Sequence, residues 1–272
     1  MGFYAPAQLV GDARDHDVSV LGVDVNVSAL DATLEGEPPA LRLGLRQVRG
    51  LSAAGAGRLV EARHARRFDS VQDLAERAGL ERRDLGALAA SGALAALAGH
   101  RHRAAWDVGG VVAPTPLFAT TRIAEATPLL RAPREGEDIV ADYRSLGLTL
   151  GRHPLALLRE RLEARGLLTA ARLRDLPHGA RARACGLVLV RQRPGSASGV
   201  TFVTLEDETG VVNLVVWRNI AERWRRPLLE SRLLEAGGEL QREGEVMHLI
   251  VDRLVDRSAL LGGLIAPSRD FH

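Results

Sequence analysis

The sequence predicts an α+β, multidomain chain: a tandem helical-hairpin domain, a helical linker, then a five-stranded β-barrel. Three observations predict it. From Leu41 to about Trp106, apolar residues recur three and four apart and are broken repeatedly by glycine, the pattern of short packed helices. After Pro177 the period drops to two, the signature of half-buried strands. Between these regions lies a Pro-, Thr- and Ala-rich stretch, Val111 to Pro133, with little periodicity. At 272 residues the chain has room for two or three small cores, and 46% hydrophobic with 26% charged residues is an ordinary globular composition.

Each element follows from local pattern. Residues 3–30 read as a short helix around Ala7 to Ala13, then an extended segment carrying Val18, Val20, Val23, Val25 and Val27, with no obvious core of its own, and Leu30 to Pro39, polar and Pro-containing, reads as a loop. Residues 41–108 form the helical domain, four or five short helices. Leu59, Val71, Leu74, Leu85, Leu88 and Leu94 mark the buried faces, and Ser70 caps one N-terminus. Residues 109–177 are a linker and helical connector, with a second helical stretch from about Asp138 to Leu176. Residues 178–258 hold five β-rich runs, with a helix-like insert, Asn219 to Leu229, after the third. Five strands with a helix after the third is the element order of an OB-fold barrel, which binds single-stranded nucleic acid or oligosaccharide. Residues 259–272 are a tail.

The charge points to a class of partner without naming one. The formal net charge is only +2, yet the chain contains no lysine, so all 36 basic residues are arginine. A GC-rich coding bias accounts for that by itself, but guanidinium also binds phosphate in a bidentate fork and stacks on bases. The sequence pI near 9.3 permits a polyanionic partner. No apolar run approaches the roughly 20 residues of a membrane span, and Met1-Gly2-Phe3-Tyr4 lacks a signal-peptide pattern. The expectation is a cytoplasmic protein without a membrane partner. The single cysteine, Cys185, cannot form an internal disulfide and falls in an apolar strand, where a buried thiol is expected.

Three constellations carry chemistry. The first is Val48-Arg49-Gly50-Leu51-Ser52, a hairpin that would present backbone N–H groups to a DNA phosphate. Gly50 would make the turn and Ser52 would cap the next helix, while Arg46, Arg49, Arg58 and Arg63 add attraction to phosphate. The same residues also describe an ordinary interhelical turn. The second runs from Ser91-Gly92-Ala93-Leu94 to His100, Arg101, His102 and Arg103, a second phosphate-facing turn. A metal on His100 and His102 is disfavoured, because helical residues two apart face different ways. The third is the barrel, where Arg191, Arg193, Phe202, Trp217 and Arg218 would stack bases and pair phosphates. Phe202 and Trp217 could equally fill the core, since alternation alone does not give the facing. Glu206-Asp207-Glu208-Thr209-Gly210 reads as an acidic hairpin turn and not as a metal site. No P-loop, nucleophile elbow or His-Glu-x-x-His pattern occurs, and no metal, cofactor or catalytic residue is expected in this chain.

Taken in order, these pieces resemble the C-terminal part of a bacterial family C DNA polymerase of the error-prone branch. Gly2 to Val10, Val23-Asp24-Val25-Asn26 and Ser28 are similar to the end of the fingers region, which gives residues 1–40 that assignment. Leu43-Gly44-Leu45 and Val48 to Leu51 resemble the entry to the family's tandem helix-hairpin-helix domain, and Ser91 to Leu94 with Gly99-His100-Arg101 resemble its close. Gly186, Arg191 to Pro194 and Thr204 to Gly210 are similar to its OB domain, and Ser268 to His272 to the ending of the error-prone branch. The resemblance implies that the hairpins grip template–primer duplex and the barrel holds single-stranded template, in damage-induced translesion synthesis. It also implies a parent nucleotidyltransferase whose palm carboxylates hold Mg²⁺. Those carboxylates and the family's N-terminal metal-binding domain would precede Met1, so this chain alone is expected to be inactive. Leu117 and Phe118 stand where replicative relatives carry a sliding-clamp peptide, though without its glutamine, and Gly22 stands where a proline is expected. The alternative readings are a protein-interaction scaffold of a mutagenesis complex, or a nonfunctional truncated fragment.

Overall fold

The computed structural model describes residues 6–112, 128–195, 199–244 and 246–262. The chain divides into two compact units, Met1–Gly151 and Arg152–His272.

The first unit is helical with a small three-stranded sheet at one side. Helix α1 (Pro6–Asp15) leads into β1 (Val20–Leu21), β2 (Thr33–Glu35) and β3 (Ala40–Arg42), with β3 central, parallel to β1 and antiparallel to β2. Helices α2 (Ala53–Ala65), α3 (Val71–Ala78), α4 (Arg82–Ser91), α5 (Ala95–Ala98), α6 (Arg101–Gly109) and α7 (Glu135–Ser145) follow. α3 shows how the sequence makes them. Val71, Leu74, Ala75 and Ala78 fall at helical spacing and are all buried, Ser70 Oγ accepts the Asp73 N–H at 3.1 Å, and Gly79, at φ 56°, ends the helix in the left-handed region. Burying a leucine such as Leu74 contributes about 2 kcal/mol.

The residues before position 41 belong to this unit's core. Val10, Val23 and Val25 are buried in one cluster with Leu45, Leu59 and Leu88. Val25 N–H donates to Ala93 O, the Asn26 amide brackets both backbone groups of Phe68, and buried Ser28 donates its hydroxyl to Leu43 O at 2.8 Å. The sequence shows an extended run without a core because the partners lie far away along the chain. The stretch 109–177 likewise does not act as one connector. Leu146 and Leu148 pack into the first cluster, while Leu155, Leu158, Leu162 and Leu167 are buried in the second unit.

The second unit is a closed five-stranded barrel, as the strand periodicity predicts. After α8 (Arg159–Glu163) and α9 (Ala170–Arg174) come β4 (Arg181–Gln192), β5 (Thr201–Asp207), β6 (Gly210–Val216), α10 (Arg218–Arg223), α11 (Arg225–Glu230), β7 (Leu233–Glu243) and β8 (Val246–Asp256). The barrel order is β4-β5-β6-β8-β7, closed by β7 pairing with β4. The pairing is antiparallel except between β6 and β8, and register shifts at Val188/Val190 and Gly237/Gly238 bend the long strands enough to close. Val203, Leu205, Val212, Leu214 and Val216 point inward with Leu240 and Leu249, so aliphatic side chains fill the barrel.

Candidate nucleic-acid interface

At the first hairpin, the turn forms as its sequence requires. Gly50 sits at φ 88°, where a β-carbon would be strained, and Ser52 Oγ accepts the Gly55 N–H at 2.9 Å at the start of α2. The amides of Ala53 and Ala54, in the first turn, have no acceptor within the helix. Asp84 of α4 is buried beneath this N-terminus and accepts both the Ser52 N–H and its hydroxyl at 2.8 Å. The carboxylate therefore fixes the cap and also places a negative charge next to any anion held there.

The arginines around the two hairpins are mostly engaged within the unit. Arg49 donates to Tyr143 O, Arg58 to Ala78 O and Gly79 O, and Arg63 to Val25 O and Ser28 O. Burial lowers the pKa of Arg63, and nearby Asp24 opposes the shift. Arg101 is held by Asp138 and Asp142 of α7 and by the carbonyls of Ala90 and Ser91. Burial raises the Asp142 pKa, against the lowering effect of the Thr149 hydroxyl and the Arg101 guanidinium. Arg103 pairs with Asp107 at 2.8 Å, and His100 caps α6 by accepting the Arg103 N–H. Arg46 faces solvent in an exposed pair with Asp31.

The barrel presents a different surface. Along β5, Thr201 and Val203 are buried and Phe202 is 38% exposed, so its ring points outward. Trp217, just past β6, is 51% exposed. Cross-strand register places Phe202 opposite Val215 and Thr204 opposite Asn213, whose side chains bond at 3.2 Å, and continues to Ile250 and His248 on β8. At the edge of this face, a β-carbon on Gly199 (φ 84°) would lie 3.2 Å from Arg218 Cδ and 3.5 Å from a terminal nitrogen of Arg193. Arg193 and Arg218 therefore converge on the turn that enters β5. Thr204, two residues from an outward Phe202, was legible as a member of this face once that facing is known, whereas Asn213 and Val215 join it through the cross-strand register.

Arg191 does not join that face. It is buried, and donates to Leu228 O and Ser231 O at the end of α11. The β5–β6 turn is acidic, as its sequence indicates, and its carboxylates are engaged. Asp207 accepts the N–H of Ala170 and both the N–H and hydroxyl of Thr209, and Arg159 binds Glu208. Burial would raise the Glu208 pKa, but the Arg159 guanidinium holds it below its ordinary value. Burial next to Glu235 pushes the Cys185 thiol up to about 12, which removes it as a nucleophile. Among the described residues, no three His, Cys, Asp or Glu side chains converge to hold a metal ion, and no helix is long and apolar enough to cross a membrane. Leu117 and Phe118 lie outside the described residues.

Comparison with known proteins agrees with both units. A helix-hairpin-helix motif family matches residues 17–104, and an OB-fold nucleic acid binding domain family matches residues 182–256. The chain is similar along 100% of its length to error-prone DNA polymerases: 58% identical to that of Alkalilimnicola ehrlichii, 52% to that of Methylococcus capsulatus and 56% to that of Azoarcus sp.. It spans only 27%, 28% and 26% of those relatives, corresponding to their C-terminal part.

Proposed function

The chain belongs to the error-prone DNA polymerases, of whose curated members it spans a little over a quarter, and on that premise we propose that it is their nucleic-acid-gripping portion. The barrel face takes single-stranded template, with bases stacking on Phe202 and Trp217 and phosphates reached by Arg193 and Arg218. The helix-hairpin-helix unit holds template–primer duplex through the backbone amides at the start of α2 and through Arg46. The observation that carries this reading is the outward placement of Phe202 and Trp217 on a barrel whose core needs no aromatic ring. An exposed aromatic face edged by arginine is the arrangement that binds single strands without reading sequence.

Nucleotidyl transfer with Mg²⁺, translesion synthesis and a cytoplasmic site of action are properties this proposal assigns to the whole polymerase. The described residues do not provide a ligand set for the ion. A sliding-clamp contact at Leu117 and Phe118 would complete the assembly. The test is binding of the chain to fluorescent single-stranded oligonucleotides. Phe202→Ala with Trp217→Ala should weaken binding at least about tenfold, a conversion of the roughly 1–3 kcal/mol carried by each stacked base. Unchanged affinity would overturn the reading. A scaffold that touches DNA little would also show no salt dependence, whereas the proposal requires affinity to fall steeply as salt rises.

A further inference from the structure

Beyond the barrel face, a dense basic stretch of the second unit lies on the two helices that follow β6. Residues 217–232 read Trp-Arg-Asn-Ile-Ala-Glu-Arg-Trp-Arg-Arg-Pro-Leu-Leu-Glu-Ser-Arg, and every arginine among them is exposed. Two of them have local partners: Arg218 pairs with Glu222 and Arg226 with Glu230, both at 2.9 Å. Arg223 lies over the Trp224 ring at 5.5 Å. Arg225 and Arg253 have no ion-pair partner among the described residues. The Trp224 indole N–H donates to Asp252 O at 3.3 Å, which anchors the junction of α10 and α11 to β8 at the residue before Arg253. Asp252 itself is engaged by Arg181. Along the chain this segment follows directly on Trp217 and Arg218, at the edge of the proposed stacking face.

We infer that α10, α11 and Arg253 form a second phosphate-binding surface, over which a single strand runs after it leaves the Phe202–Trp217 face. The inference rests on the proposed use of that face. The chemistry differs along the path. The face offers rings and a Thr204–Asn213 pair that can meet bases, whereas the helical cap offers guanidinium groups without a base-stacking surface, because Trp224 is partly buried under Arg223. The cap therefore takes backbone phosphates and reads no sequence. Unpaired guanidinium groups suit it to that task, since no internal ion pair has to break before phosphate binds.

The experiment measures binding of two oligonucleotides to the full chain. One has about 5 nucleotides, enough for the face, and the other about 15, enough to run over the cap, within the range of lengths that single barrels occupy. The triple variant Arg223→Gln, Arg225→Gln, Arg253→Gln should bind the short strand unchanged and the long strand roughly tenfold more weakly. Its log–log salt slope for the long strand should be shallower by about 2, as expected when three phosphate contacts on a single strand are lost. Replacing the same three positions with Lys should restore most of the long-strand affinity, and unchanged thermal melting of each variant shows that the barrel stays folded. If the triple variant binds the long strand like the parent, or loses both lengths equally, the inference fails. Phe202→Ala with Trp217→Ala separates it from the underlying reading. If that variant leaves the short strand unaffected, the face reading fails. If it weakens the short strand while the triple variant leaves the long one unchanged, only the cap is refuted.

Discussion

Arginine does opposite work in the two units. In the helical unit, guanidinium groups close the structure on itself. Arg77 donates to Ala62 O and Arg66 O, pairs with Asp73 and covers the Phe68 ring at 4.7 Å, while Arg58 and Arg63 occupy carbonyls at helix ends and loops. In the barrel unit, some arginines do the same: Arg183 and Arg257 hold Glu235 below its ordinary carboxylate range, although burial alone would raise it. Yet Arg193, Arg218, Arg223, Arg225 and Arg253 remain exposed at the surface, Arg193 and Arg218 beside Gly199 and Arg223 over the Trp224 ring. The lesson is that arginine density alone does not locate a phosphate site in a chain without lysine. Under the proposed function, the better guide is an exposed arginine with no internal partner or with only a solvent-exposed one, such as Arg218 with Glu222.

The contrast is broken most sharply at Arg101. Removing it with Arg101→Ala leaves Asp138 and the more buried Asp142 without their cation and frees two carbonyls at the end of α4. The expected loss is about 3 kcal/mol of stability, read from urea unfolding of the full chain. Binding to single strands should be untouched at concentrations where the chain stays folded. A variant of normal stability that loses DNA affinity would reverse the assignment and make Arg101 a contact residue. At the other pole, Phe202→Ala should cost only about 1 kcal/mol of stability, since the ring is 38% exposed and outside the buried barrel cluster, and should appear chiefly in the affinity measured above.

How much of this was legible beforehand follows the same division. The barrel was readable because strand alternation and turn residues are local signals, so Val200 to Leu205 and Val211 to Trp217 could be placed on β5 and β6 without knowing their partners. Helix ends at Ser52, Ser70 and Gly92 were readable for the same reason. The fates of Arg49, Arg63, Arg101 and Arg191 were not. Their acceptors are carbonyls and carboxylates up to 94 residues away, and nothing in local spacing distinguishes such a side chain from one facing solvent. Asp84 was missed similarly. It lies in the first turn of α4 and looks like a helix-dipole residue, yet its oxygens serve α2. Burial of Val23 and Val25 depended on a sheet of two- and three-residue strands, too short to leave a periodic mark.

Two smaller effects sharpen the comparison. Ser52→Ala removes the cap of α2 and one of the groups that Asp84 accepts from, and should cost about 1 kcal/mol, read as a lower urea midpoint. Under the proposed duplex grip it should also weaken duplex binding, because the freed Asp84 carboxylate then faces the amides meant for phosphate. Ser52→Thr keeps the oxygen and should recover both. If duplex affinity is unchanged in a folded Ser52→Ala variant, the start of α2 is a structural turn alone.

The smallest effect is a pH dependence at α7. Glu137 accepts from Arg131 and from the Arg134 N–H, and these bonds hold its carboxyl down to about 2. A carboxylate whose pKa is depressed by folding binds fewer protons in the native state than in the unfolded chain. Its contribution is therefore complete above its ordinary titration range near 4.5 and is lost as the pH falls toward 2. Asp142, raised by burial, has the opposite sign: it binds more protons when folded, so its share of stability declines as pH rises through the ordinary carboxylate range. Glu137→Gln should consequently flatten the acid limb of the stability curve, and Asp142→Asn should steepen it. Since Glu137 is solvent-exposed, salt should shrink its effect more than that of Asp142, and equal salt sensitivity would show that the carboxylates of α7 do not differ in burial as the structure describes.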